Sequence, residues 1–468
     1  MNLAGRIALV LGLGETGLSL ARFLDRRGAR VRVADTRGNP PNRVALAEKV
    51  PQAELALGPY RDASFADIDL LAVSPGVPLA TPQVRAVAAR GVPVVGDIEL
   101  LAQSLHDRRE RAPRPQILAI TGTNGKSTVT ALVGAMCRRA GLATEVAGNI
   151  GPAALDALMH CEDVRHDPEV WVLELSSFQL ETTDTLDPDA ATMVNLSEDH
   201  LDRYADMGAY AEAKARIFRG RGIQVLNRDD AWSMKMALAG RRQVSFGLGA
   251  PPRAEDFGLL RVDGELWLAQ AATPLLALNE VQIAGLHNAA NALAALALTR
   301  ALDLSYASLL GALADFKGLP HRVEKVAEIE GVVYYNDSKG TNVGSTVAAL
   351  DGFSELVDRG ARVVLIAGGE GKGQDFAPLA APVARCARCV VLIGRDAELI
   401  ARAIGASVAL LRAGSMEEAV EQAHAQAQPG DVVLLSPACA SFDMFRDYPH
   451  RGEVFAACVR KMAHAELH

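Results

Sequence analysis

Residues 121–128 read Thr-Gly-Thr-Asn-Gly-Lys-Ser-Thr. An apolar run, Ile117 to Ile120, precedes them, and a helix-like stretch, Val129 to Met136, follows. A strand, a glycine turn and a helix start gather backbone N–H groups and the positive end of a helix dipole around one point, which favours a polyanion. Gly122, Thr123, Asn124 and Gly125 make the turn, and Lys126 is placed to reach terminal phosphates. Ser127 and Thr128 offer hydroxyls suited to Mg²⁺. The general phosphate loop has four residues between its first glycine and Gly-Lys; here there are two, so the loop is a shortened variant. The bland alternative is an ordinary glycine turn, and the Gly-Lys-Ser-Thr at a strand-to-helix junction speaks against it.

Other chemistry-bearing residues also follow apolar runs. Gly12-x-Gly14-x-x-Gly17 and then Asp35 fit a dinucleotide fingerprint, with Asp35 accepting from a ribose hydroxyl. On that feature alone the ligand would be NAD. Thr36 and Arg37 add a hydroxyl and a cation, which suit a uridine diphosphate equally well. Tight strand–helix packing without a ligand is the plainer alternative. Glu174 stands at the end of Val170–Leu173, where a hard oxygen could ligate Mg²⁺. His200 could bind a metal or handle a proton, although a lone histidine usually does neither. Lys214 alone would be a surface lysine. Lys339, Thr341, Lys372 and Ser441 together would make a basic, hydroxyl-rich pocket for carboxylates.

These residues need elements to carry them. Strands are expected at 7–11, 30–34, 70–73, 170–173, 191–194, 332–335, 363–366, 390–393 and 432–435, alternating with helix-like stretches such as 18–27 and 210–218. That is an α/β pattern, and ligands in open α/β sheets bind at the carboxyl ends of strands. A chain of 468 residues is too long for one core. The stretch 106–115, charged and with two prolines, reads as a linker, and Gly318-Leu-Pro begins a second break. Three units are therefore expected, at 1–113, 114–318 and 319–468.

Hydrophobic residues make up 49% and charged residues 22%, which excludes a disordered chain. A net charge of −8 argues against a nucleic-acid binder yet leaves room for a local basic pocket. No run of about 18 uncharged apolar residues suggests a membrane span, and Ile7–Leu11 is too short for a secretory h-region, so a cytoplasmic protein is expected. Six cysteines are too few for a disulfide framework, and Cys386-Ala-Arg-Cys389 reads as a reduced structural pair.

The motifs come in an order that resembles the Mur ligase family. Those carrying the resemblance are the phosphate loop, Gly148-Asn-Ile-Gly151, Glu174-Leu-Ser-Ser-Phe-Gln179, Asn195-Leu-Ser-Glu-Asp-His200, Gly285-Leu-His-Asn-Ala-Ala-Asn291, Gly318-Leu-Pro-His-Arg322 and Asp337-Ser-Lys339. Gly96-Asp-Ile-Glu-Leu100 and Leu435-Ser-Pro-Ala-Cys-Ala-Ser441 point to its D-glutamate-adding branch. The resemblance spans essentially the whole chain.

It implies a Rossmann-like N-terminal domain, a central P-loop ATPase-like domain with a mostly parallel sheet, and a Rossmann-like C-terminal domain. Glu15, Thr16, Asp35, Thr36, Arg37, Ser74 and Gly76 would surround a uridine diphosphate, so the glycine fingerprint would hold UDP instead of NAD, and Asn149 would touch the same substrate. Glu15 departs from the apolar residue common there. Residues 122–128, Asn288, Asn291, Arg322 and Asp337 would hold ATP. Ser127, Glu174, His200 and Lys214, the last as a carbamate, would bind two Mg²⁺. Lys126, His200, Lys214 and Lys339 would be catalytic. Thr341, Lys372, Ser441, Phe442 and Tyr448 would receive D-glutamate. The implied reaction joins D-glutamate to UDP-N-acetylmuramoyl-L-alanine through an acyl phosphate, in peptidoglycan precursor synthesis. The partners are then small molecules, and the chain a monomer. A folylpolyglutamate-type relative with another amino acid, or a nucleotide-sensing module without catalysis, are the rivals.

Overall fold

The computed structural model describes residues 3–108, 114–201, 203–283 and 285–465. Residues 109–113 of the expected linker lie outside them. Four sheets follow one another along the chain. The first holds Ile7–Leu11 (β1), Arg30–Asp35 (β2), Glu54–Leu57 (β3), Leu70–Val73 (β4) and Val94–Val95 (β5). Its strands are parallel, in the order β3-β2-β1-β4-β5. The chain leaves β1 towards β2 and later returns to β4 on its other side. That reversal opens a crevice between the loops after β1 and β4, the usual place for a ligand.

The second sheet holds Gln116–Thr121 (β6), Thr144–Gly148 (β7), Val170–Glu174 (β8), Ala190–Met193 (β9), Ile223–Asn227 (β10) and Gln243–Phe246 (β11). It is parallel throughout, in the order β11-β10-β9-β6-β8-β7. Its central strands β6, β8 and β9 are buried on both faces and read as largely apolar runs for that reason. The helices Lys126–Arg139 and Leu286–Arg300 pack Leu132, Val133, Met136, Leu293 and Leu296 into one core with β6 and β8.

A small antiparallel sheet, Phe257–Val262 (β12), Glu265–Gln270 (β13) and Thr273–Ala277 (β14), extends this unit. The fourth sheet holds Glu324–Ile329 (β15), Val332–Asn336 (β16), Val363–Gly368 (β17), Ala387–Ile393 (β18), Ala409–Arg412 (β19) and Val432–Leu435 (β20). Its order is β15-β16-β20-β17-β18-β19, parallel except for the edge strand β15.

The first and second sheets are joined by more than chain. Gln179 Nε2 donates to Asp97 Oδ2 at 3.0 Å. Glu99 accepts from the backbone N–H groups of Asp184 and Thr185 at 2.7 and 2.9 Å and from the Thr185 hydroxyl. Arg22 and Arg27 pair with Asp156 and Glu162. Leu100, Leu101 and Leu105 share an apolar cluster with Leu155 and Leu158. Cys386 and Cys389 are buried and unbridged. Among the described residues no helix is long and apolar enough to cross a membrane.

Candidate active site

Register sets where the loops meet. Ile120 pairs with Glu174, Gly148 with Glu174, and Thr121 with Met193, so β6 to β9 end level. The loops after them therefore crowd one edge. The phosphate loop leaves β6 and enters its helix at Lys126. Gly125 sits at φ +81°, and a Cβ there would run into the Asn291 side-chain oxygen, so glycine is required on two counts. Asn195, just past β9, fixes the loop from the side. Its Oδ1 accepts from Asn124 N–H at 2.9 Å and its Nδ2 donates to Asn124 O at 3.0 Å.

Lys126 Nζ donates to Thr123 O at 2.8 Å. Burial lowers its pKa, and Glu174 opposes that effect. Glu174 is 1% exposed. Its Oε1 accepts from Asn149 Nδ2 at 2.7 Å, while its Oε2 is buried and has no hydrogen-bond partner. A buried carboxylate oxygen without a partner is costly. A cation is the partner that fits it, and Ser127, in the first turn of the helix after the phosphate loop, offers a hydroxyl oxygen to the same cavity. Ser127 Oγ accepts from Arg322 Nη2 at 2.7 Å, so a cation ligated by this hydroxyl would have to compete with that guanidinium. Among the described residues no group of three or more His, Cys, Asp or Glu side chains is arranged to hold a metal. A metal shell here needs oxygens from hydroxyls and phosphates as well.

His200 lies at φ +57°, in the left-handed region. Its ring packs 4.7 Å from Phe178, and burial lowers its pKa, which favours the neutral, ligating form. Lys214, on the helix Met207–Ala215, is 1% exposed. Its Nζ donates to Gly122 O at 2.8 Å and lies 4.7 Å from the Tyr210 ring centroid. Burial first, then the neighbouring Lys126, hold its pKa well below the ordinary lysine value. It is no surface lysine, and its amine is the kind that gives up its proton.

One cavity of about 750 Å³ collects these groups. Glu15, Thr16, Ser74 and Gly76 enter it from the first sheet, and Lys126, Ser127, Asn149, Glu174, His200 and Lys214 from the second. Arg322, Lys339, Thr341 and Lys372 enter from the third segment. Five lysine and arginine side chains thus face one space in a chain of net charge −8. Burial lowers the Lys339 pKa to about 8, and its Nζ sits 4.0 Å from the Tyr448 ring centroid. Lys372 Nζ is 3.8 Å from Asp199 Oδ1. A second cavity of about 380 Å³ adjoins the loop, lined by Thr128, Asn288, Asn291, Arg322 and Asp337 among others. Burial raises the Asp337 pKa to about 7, and Ser436 Oγ donates to it at 2.7 Å.

Some expected residues stand elsewhere. Asp35 is buried with both oxygens engaged, one by Leu13 N–H at 2.7 Å and both by Arg37. Its pKa falls to about 2, chiefly through Arg37. Thr36 and Arg37 are exposed. Ser441 is buried, Phe442 is 70% exposed, and neither lines the large cavity. Sequence reasoning passed over Asp199 and Asn342. Asn342 Nδ2 donates to Asn124 Oδ1 at 3.1 Å, joining the third segment to the phosphate loop. For Asp199 the signal was its place beside His200; for Asn342 it was Asn-x-x-Ser, which forms a capping box with Ser345.

Comparison with known proteins gives the family. Residues 6–96 match the Mur ligase MurD-like N-terminal domain, 120–299 the Mur ligase middle domain, and 321–439 the Mur ligase glutamate ligase domain. The UDP-N-acetylmuramoylalanine--D-glutamate ligase of Nitrosospira multiformis is 57% identical, over 99% of this chain and 97% of its own. That of Thiobacillus denitrificans is 58% identical, over 99% and 98%. The chain belongs to the Mur ligase family. Among solved structures, the UDP-N-acetylmuramate-alanine ligase MurC of Thermotoga maritima matches 98% of the chain at 20% identity with a TM-score of 0.61, a likeness of fold. The three-domain α/β architecture expected from the sequence is that of the Mur ligases. Membership makes the chain an ATP-dependent ligase.

Proposed function

We propose that the protein adds D-glutamate to UDP-N-acetylmuramoyl-L-alanine at the expense of ATP. The observation that carries this reading is the large cavity, where the crevice of the first sheet, the phosphate loop and a cluster of third-segment cations face one another. Three anionic molecules must meet in this reaction, and a basic cleft suits all three. The domain limits follow the breaks in the sequence, at 113/114 and 318/319.

The substrate's UDP end lies along Glu15, Thr16, Ser74 and Gly76, and Asn149 touches its acyl end. ATP places its adenosine in the smaller cavity by Asn288, Asn291 and Asp337, and its phosphates on residues 122–128. Lys126 neutralises the charge that shifts to the transferring phosphoryl group. Ser127, Glu174, His200 and carbamylated Lys214 are the residues that would hold two Mg²⁺. Bound there, the ions would polarise phosphate oxygens and neutralise their charge. The alanyl carboxylate attacks the γ-phosphorus, ADP leaves, and an acyl phosphate remains. The glutamate amine, placed by Lys339, Thr341 and Lys372, then attacks the acyl carbon. Phosphate leaves through a tetrahedral intermediate. Contacts such as Asn342 to Asn124 close the third segment over the loop and keep water from the acyl phosphate. With this reading go a cytoplasmic setting and a monomeric enzyme.

The test is Lys126→Ala. Wild type with both substrates, ATP and Mg²⁺ should yield ADP and a product heavier by one glutamyl residue. The variant should yield neither. Near-normal ADP formation by the variant would remove the phosphate loop from the reaction.

A further inference from the structure

Arg451 is fully buried, at 0% exposure, near the start of the final helix, Tyr448–Ala465. Lysines and arginines are almost never so buried unless paired with a carboxylate. Among the described residues no carboxylate lies within ion-pair distance of it; Asp443 and Asp337 act on its charge from farther away. Its fork instead spans two loops. Nε donates to Ser338 Oγ at 3.0 Å and Nη2 to Ser338 O at 2.8 Å. Nη1 donates to Cys439 O at 3.1 Å. Ser338 Oγ passes a hydrogen bond on to Tyr448 O at 2.8 Å.

The two loops matter. Ser338 lies between Asp337, which lines the adenosine cavity, and Lys339, which lines the large one. Cys439 lies in the loop from Ser436 to Ser441, where Ala438 is held at φ +59°. The same helix start touches the site once more, where the Tyr448 ring centroid lies 4.0 Å from Lys339 Nζ.

We infer that Arg451 is a positioning residue for the amino-acid substrate: its guanidinium ties the Lys339 loop to the 436–441 loop and so fixes where Lys339 and Thr341 stand. This rests on the reading that Lys339, Thr341 and Lys372 receive the amino acid. A planar five-donor fork is needed to hold two carbonyls and a hydroxyl at once, so lysine cannot replace it. Burial lowers the Arg451 pKa to about 10, still far above neutrality, so the charge persists.

The test uses Arg451→Lys, Arg451→Gln and Ser338→Ala in the full-length protein, with steady-state kinetics on ATP, UDP-N-acetylmuramoyl-L-alanine and D-glutamate, and thermal melting beside them. The KM for D-glutamate should rise about tenfold or more in both Arg451 variants and by a smaller factor in Ser338→Ala. The KM for ATP should stay within about twofold. Equal rises in both constants, an unchanged KM for D-glutamate, or loss of folded protein in all three variants would make Arg451 a stability residue and overturn the inference. A wild-type protein that releases no phosphate with D-glutamate would instead remove the proposed function, which separates the two failures.

Discussion

Replacing Lys214 by methionine should separate stability from catalysis. The amine is 1% exposed and gives one good hydrogen bond, 2.8 Å to Gly122 O. Removing it leaves that carbonyl short of a donor, at a cost of about 1–3 kcal/mol. It also removes a buried amine whose charged form burial disfavours, and an apolar side chain of similar volume escapes that desolvation cost. The two effects oppose, so the net change should lie within about 2 kcal/mol, a shift of a few degrees in melting temperature. Activity should fall far more. Loss of one preorganised electrostatic group typically costs about 10²–10³ in turnover, or about 3–4 kcal/mol of transition-state stabilisation. Acetate should restore part of the activity, because it supplies the carboxylate that the carbamate would provide.

The pH dependence gives a second readout. The unfolded lysine titrates near about 10.4, and the folded one well below its ordinary value. Between the two the folded state binds fewer protons, so wild-type stability should climb as pH rises through that window. The methionine variant should lose that climb. The assays are differential scanning calorimetry across pH and phosphate release with and without acetate. Turnover within about threefold of wild type without acetate, or a melting temperature lower by more than about 10 °C, would refute the reasoning.

Two further outcomes are expected. Gly125→Ala places a methyl group against the Asn291 oxygen at a positive φ, so the KM for ATP should rise at least about tenfold and stability should fall by about 1–3 kcal/mol; an unchanged KM would show that the loop adapts. Asp97 is fully buried, and its pKa is pushed up to about 6 by burial, with the Gln179 hydrogen bond opposing. Its unfolded carboxyl titrates near about 3.9, so wild-type stability should decline as pH rises from about 4 to 6, and Asp97→Asn should be more stable at pH 8 by about 1–3 kcal/mol and equal near pH 4. Destabilisation by Asp97→Asn at pH 8 would contradict a buried-charge penalty at this junction.

Much of the architecture was legible because it rests on local signals. Strands β1, β4 and β20 fall on the residues expected, since each is a short apolar run ended by a turn signal. The phosphate loop declared itself through Gly125-Lys126 at a strand-to-helix junction. The antiparallel sheet was missed, although Asp263-Gly264 between β12 and β13 is a hairpin signal, with both residues at positive φ. Long-range facts were not legible. That Asp35 spends its oxygens on Leu13 and Arg37 depends on how a turn folds back 22 residues away. The burial of Lys214 and Arg451 depends on which loops close over them. The 3.6-residue period places a side chain on a helix face, but it does not say what covers that face.

The most direct measurement is phosphate release by the wild-type protein with ATP, Mg²⁺ and UDP-N-acetylmuramoyl-L-alanine, in parallel with D-glutamate, L-glutamate and no amino acid. Sustained release with D-glutamate alone is the expected result. Equal release in all three conditions, or none in any, would contradict the proposed ligase.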